Sequence, residues 1–298
     1  MKNRRDFLKT AALAVAGGLV APGLLSSCGG GGAKKTAKTT KNIGLQLYSL
    51  RAMEKEMGIE AVLKAVAEMG YTRLETANYS DGKFYGKTPA ELKKMTDDLG
   101  MKITSSHVGQ AYNAEKIDEI MDWWKRATDA HNELGVKYMV QPWMSVTDDT
   151  TLDEIKTICD YFSNIGIVTA ANGINFGYHN HDFEFKRKYD DVPLYDHLLN
   201  GVSKNHVLFQ LDVYWCQVGG YSPVDYMKKY PSQITILHIK DEKEIGASGQ
   251  MDFKPIFEQA QATNITDWYV EVEQYTNNNP QESVKQSFDY LNAADYVK

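Results

Sequence analysis

From residue 42 onward the chain alternates short apolar runs with longer stretches whose apolar residues recur every three or four positions. The short runs are IGLQLYS (43–49), TRLETA (72–77), KITSSHV (102–108), KYMVQPW (137–143), INFGYHNH (174–181), VLFQLDVYW (207–215), ITILHIKD (234–241) and WYVEVEQ (268–274). Each has the length and composition of a strand buried on both faces. The intervening stretches read as amphipathic helices. GIEAVLKAVAEMG sets Val62, Val66 and Met69 near one face, and TPAELKKMTDDLG opens on a Thr88 cap with Pro89 in the first turn. Gly70, Gly100, Gly135 and Gly173 close successive helices. Eight such units without a break in composition, and without a Gly-rich phosphate loop after the first strand, predict one α/β domain over 42–298, a (β/α)8 TIM barrel, in preference to a doubly wound sheet.

The residues before 42 follow a different pattern. MKNRRDFLKTAALAVAGGLVAPGLLSSC pairs Arg4 and Arg5 with a mild apolar run from Ala11 to Leu25 that is too short to span a bilayer. It reads as a twin-arginine export signal over 1–27. Leu25-Ser26-Ser27-Cys28 resembles a lipobox, with Cys28 as the lipidation site and 28–41 as a flexible tether; the alternative is a signal peptide cleaved elsewhere. The expected location is exported, periplasmic or anchored as a lipoprotein in a Gram-negative bacterium, touching the membrane only through the lipid. The full chain carries a formal charge of −6, and removing 1–27, with four basic groups and one acid, gives −9. That balance argues against nucleic acid as a partner. Cys159 and Cys216, the cysteines left in the folded part, read as core thiols.

In a TIM barrel the working groups sit at the C-terminal ends of the strands. His107, His179, His181, Asp212, His238 and Glu273 all fall late in their runs. His179 and His181 share a strand face, as do His238 and Lys240, and as do Glu271 and Glu273, with Glu273 nearer the mouth. Asp212 stands in an apolar run, where an unpaired charge is costly and calls for a cation. Alone, each histidine is more often a hydrogen-bonded core residue, and Asp212 could pair with an arginine. Their recurrence on four consecutive strand ends points to a divalent metal held by nitrogen and oxygen ligands.

The motifs LQLYSLR, YHNHDFEF, LDVYW, LHIKD and VEVEQ, in that order, resemble the xylose isomerase-like TIM-barrel superfamily of sugar isomerases and epimerases over 42–298. The resemblance implies His179, Asp212, His238 and Glu273 as ligands of one divalent ion, with Mn²⁺, Zn²⁺ or Co²⁺ favoured over Mg²⁺. It also implies a small carbohydrate substrate. His179 stands where members of that superfamily commonly have a carboxylate, so only Glu273 is retained of the carboxylate pair that shuttles a proton in the epimerase-like members. Glu273 is then the expected base, and the acid must come from elsewhere: His181, Lys240 and Asp241 are the first candidates, with Glu184 and His107 behind them.

Glu75, His107, Gln46, Trp215 and Glu184 are expected to contact substrate, and Gln141 is a weaker candidate. Tyr48, Trp143, Tyr178 and Tyr214 are further aromatics near strand ends, whereas Trp123 and Trp124 read as core. Three functions fit: a metal-dependent isomerase or epimerase acting through an enediolate, a lyase or hydratase eliminating from a 3-keto-glycoside or related keto sugar, and a non-catalytic sugar-binding lipoprotein. Oligomeric state is left open.

Overall fold

The computed structural model describes residues 41–298. The signal, lipobox, Cys28 and most of the tether lie outside the described residues. Eight parallel strands form the barrel: β1 Gly44–Gln46, β2 Arg73–Thr76, β3 Lys102–His107, β4 Tyr138–Gln141, β5 Asn175–His179, β6 Val207–Asp212, β7 Ile234–Lys240 and β8 Asp267–Glu271. Each pairs with its sequence neighbours, and β8 returns to β1 in the register Gly44 to Tyr269, closing the sheet. Each of the eight apolar runs read from the sequence therefore contains one barrel strand. The main flanking helices are α1 Ile59–Met69, α2 Pro89–Asp98, α3 Ile117–Leu134, α4 Leu152–Ala170, α5 Leu194–Gly201, α6 Pro223–Lys229, α7 Phe253–Ala262 and α8 Pro280–Ala293.

Local chemistry sets these boundaries. Thr88 and Thr151 open α2 and α4 with reciprocal capping boxes to Glu91 and Glu154, satisfying amides that a helix leaves unpaired. Gly70 and Gly135 end α1 and α3 at φ of 105° and 87°, a region costly for a residue with a Cβ. The run VLFQLDVYW is not all strand: at Asp212 the chain turns into the short helix Val213–Val218, because the Asp212 side chain accepts the Trp215 amide as an N-cap.

Two apolar layers hold the barrel. The larger fills the space between strands and helices. The smaller, Tyr138, Val140, Ile236 and Tyr269, fills the interior of the barrel itself. Below it Asp267 gathers Arg73 at 2.8 Å, Lys137 at 2.6 Å and the Tyr138 hydroxyl at 2.7 Å, so the N-terminal end is plugged by an ion-pair network. Polar side chains inside the barrel are thereby concentrated at the opposite end. Cys159 and Cys216 are buried free thiols. No helix among the described residues is long and apolar enough to cross a membrane.

Candidate active site at the barrel mouth

The floor of the mouth is organised by Glu75, penultimate in β2 and fully buried. Gln46 and Gln210 donate amide hydrogens to its carboxylate at 2.7 and 2.8 Å, and the Ser105 hydroxyl donates at 2.5 Å. The Nε2–H of His238 donates at 2.5 Å, and Nε2 of His107 lies 3.2 Å away. Burial works against ionisation of Glu75, but the charges of His107 and His238 and the hydrogen bonds outweigh it and hold the pKa at about 2. Between Glu75 and Glu271 the opposite happens to His238: burial is overcome and its pKa is pushed up to about 10.

Gln210 extends this control. Its Oε1 accepts from His107 Nε2 at 2.7 Å and from His179 Nδ1 at 3.2 Å, which leaves His107 Nδ1 and His179 Nε2 with their lone pairs free. The Nε2 of His238 is likewise spent on Glu75, leaving Nδ1 3.3 Å from Glu271. The rings of His107, His179 and His238 lie with centroids 4.6 to 5.0 Å apart. Burial foremost, then repulsion from the other imidazoles, pulls the His179 pKa well below its usual value.

Candidate ligand atoms of His179, Asp212, His238 and Glu271 all lie within 4.8 Å of one another, and those of His107, His179 and His238 form a second, overlapping group. A specific vacancy in hydrogen bonding falls in the first group. Asp212 Oδ1 accepts the Trp215 amide at 2.8 Å, whereas Oδ2 is buried with no partner. Burial, with Glu271 close by, raises the Asp212 pKa to about 7 against the pull of Lys240 and His238. A buried carboxylate oxygen without a donor, beside two imidazoles and a second carboxylate, fits a divalent cation of the borderline class.

The expected ligand Glu273 is not in this group; Glu271 takes its place. Strand β8 ends at Glu271, so Glu273 lies beyond the last rung, where its half-buried side chain lines the cleft and binds the Lys240 ammonium at 2.6 Å. Lys240 also reaches Glu271 at 3.2 Å. Burial disfavours its charge, yet the charges of Glu271, Asp212 and Glu273 raise its pKa.

Other expected roles change with their surroundings. Asp241 is turned away from the mouth: its carboxylate accepts from the Glu242 amide at 2.8 Å, the Gly246 amide at 3.0 Å and the Ser248 hydroxyl, and so pins the loop after β7. Glu75 and Gln46 are fully buried with their side chains engaged, so they support the floor and do not line the cleft. Glu184 is neither on the surface nor in the cleft. It is buried, accepting from the Tyr178 hydroxyl at 2.6 Å and the His181 amide at 2.8 Å, and burial raises its pKa to about 8. Trp215 lies behind the mouth, its ring 6.1 Å from that of His181 and its indole N–H buried without a partner.

The cleft above the floor encloses about 590 Å³. His107, His179, His181, Glu271 and Glu273 line it, together with Tyr48, Tyr79, Asp81, Gln110, Trp123 and Trp143. Trp123 packs against the core as expected and also borders the cleft. Its neighbour Trp124 is fully buried and donates to the Tyr161 hydroxyl at 2.8 Å, whereas Trp123 is only partly covered. Tyr79 and Asp81 come from a small turn after β2 that no strand or helix pattern announced, and Gln110 follows β3.

Residues 63–294 match the family model of the xylose isomerase-like TIM barrel. The chain belongs to that family. It is 40% identical to a sugar phosphate isomerase/epimerase from Parabacteroides distasonis ATCC 8503, whose crystal structure superposes with a TM-score of 0.81 over 87% of this chain and 100% of the other. It is 21% identical over 281 residues to an inosose dehydratase of Geobacillus thermodenitrificans, covering 82% of this chain and 90% of the relative. The fold is shared also with a 3-keto-D-glucoside 4-epimerase from E. coli, at 20% identity and a TM-score of 0.65 over 85% of this chain and all of the other.

Proposed function

We propose that this family member is an enzyme that removes the proton from the carbon next to a sugar carbonyl. The observation that carries the reading is the separation of tasks at the mouth. His179, Asp212, His238 and Glu271 form a buried donor set whose His179 and Glu271 border the cleft, while Glu273 and His181 line the cleft outside that set. The four residues of the set would hold a divalent ion, which would supply the positive charge that stabilises an oxyanion formed from the sugar carbonyl. Mn²⁺, Zn²⁺ or Co²⁺ suits two nitrogen and two oxygen donors better than Mg²⁺.

Glu273 is the base. The Lys240 ammonium, 2.6 Å away, holds the carboxylate in place beside the cleft, where it can accept the proton that the carbonyl acidifies. His181 is the acid partner. Its amide is fixed by Glu184, its ring lies beside that of His179, and burial lowers its pKa against the pull of Glu271 and Glu273. Delivery of the proton to a neighbouring carbon or to the opposite face gives isomerisation or epimerisation. Delivery to a departing oxygen gives elimination; one carboxylate base and one distinct imidazole acid favour this second reading, and the inosose dehydratase relative supports it.

Heavy-water NMR decides the point. The protein loaded with Mn²⁺, Zn²⁺, Co²⁺ or Mg²⁺ is incubated with free ketoses and 3-keto-glycosides, and deuterium should enter next to the carbonyl. A new ketose or epimer identifies isomerisation, and a released alcohol identifies elimination. Sugar binding with neither exchange nor any new product in every combination overturns the proposal in favour of a binding protein. The leader supports export of the mature chain, testable by fractionation and by labelling of Cys28 with a fatty-acid analogue.

A further inference from the structure

A buried ammonium stands beside the donor set. Lys240 closes β7, directly opposite Glu271 in the parallel register of β7 and β8, and its side chain is only 3% exposed. Its Nζ lies 3.2 Å from Glu271 Oε2 and 2.6 Å from Glu273 Oε2, with the Trp215 ring 5.8 Å away. The shorter of the two bonds goes to a carboxylate outside the donor set, so the ammonium has an anchor that does not depend on Glu271. His238 Nδ1 approaches the same Glu271 Oε2 at 3.3 Å. One candidate ligand oxygen is thus shared between an imidazole and an ammonium.

Such a neighbour works against a metal site. A divalent ion held by His179, Asp212, His238 and Glu271 adds two positive charges beside a third, in buried surroundings where water and salt screen them little. The ammonium also competes with the ion for Glu271. In the other direction, its charge offsets part of that of Asp212, Glu271 and Glu273 whenever the ion has left, and buried carboxylates without a cation would otherwise destabilise the fold. A lysine that served only to tie β7 to β8 would have the opposite effect on the ion: its removal would loosen the ligands and weaken binding.

We infer that Lys240 is a built-in counter-charge that sets the strength of ion binding, lowering the affinity of the donor set while supporting its carboxylates in the ion-free protein. It acts through Glu271 and is therefore a positioning residue, not a metal ligand. The inference rests on the proposed ion in the donor set and adds what limits its affinity. Lys240 thereby lets the ion leave without unfolding the barrel.

The test is calorimetric titration of chelator-stripped protein with Mn²⁺ and with Zn²⁺, in wild type, Lys240→Met and Lys240→Gln, each checked for native circular dichroism. Methionine keeps most of the lysine stem and drops its charge. Both variants should bind either ion about tenfold or more tightly than wild type. Without the ion they should melt below wild type, and at one free ion concentration their melting temperature should rise further than that of wild type. Unchanged or weaker ion binding, ion-free melting at or above wild type, or loss of the native spectrum in both variants would each overturn the inference. Failure of wild type to bind either ion would instead overturn the donor-set reading beneath it.

Discussion

At the residue scale the mouth separates two neighbouring glutamates that share a strand face. Both line the cleft but only Glu271 belongs to the donor set, so their amide variants should fail differently. Glu271→Gln is expected to lower affinity for Mn²⁺ or Zn²⁺ by about a hundredfold, measured by calorimetry. Glu273→Gln should leave that affinity near wild type while slowing deuterium exchange by about a hundredfold or more. The reverse pattern would exchange their assignments. The sequence marked both positions, because a period of two is enough to place them on one face. It could not show that hydrogen bonding to the neighbouring strands stops at Glu271, which leaves Glu273 beyond the last rung and outside the donor set. Asp241 was misread for a related reason. Proximity to a strand end says nothing about loop amides, and those of Glu242 and Gly246 claim its carboxylate.

At the element scale the alternation of runs was legible because every barrel strand is buried on both faces and every main helix on one. Less legible was the rotation of α3. Trp123 and Trp124 are adjacent, yet a helix turns about 100° per residue, which sends Trp124 into the core and Trp123 to the cleft. The same helix docks through a buried imidazole. His131 Nδ1–H donates to the Ala127 carbonyl at 2.6 Å, while Nε2 faces the Ser106 hydroxyl on β3 at 2.9 Å. Burial lowers its pKa to about 4, so the folded protein keeps this ring neutral where an unfolded chain, near 6.5, would take up a proton. The associated stability is complete above about pH 6.5 and is lost as pH falls towards 4, on the order of 3 kcal/mol. In thermal melts across that range, His131→Gln should start less stable at pH 7 and decline less steeply than wild type. Parallel curves would show that the ring does not control α3.

For the whole molecule, closure of the barrel is what turns scattered sequence positions into one site. Residues from Glu75 to Glu273 meet because β8 pairs with β1, and a donor set drawn from four strands couples ion binding to the folded state. Addition of a tightly bound ion at a hundredfold excess over its Kd should raise Tm by roughly 5 °C, and a chelator should reverse the rise together with deuterium exchange. Unchanged melting and unchanged exchange would count against an ion in this set. The junction at Glu75 has a wider consequence. Its four donors, with the His107 ring beside them, come from beneath any substrate, drawn from β1, β3, β6 and β7, so the aim of the imidazoles is inherited from the scaffold. Surface segments above it are free to diverge, and a lineage can acquire new sugar preferences by rewriting its rim while the reacting centre stays as it was.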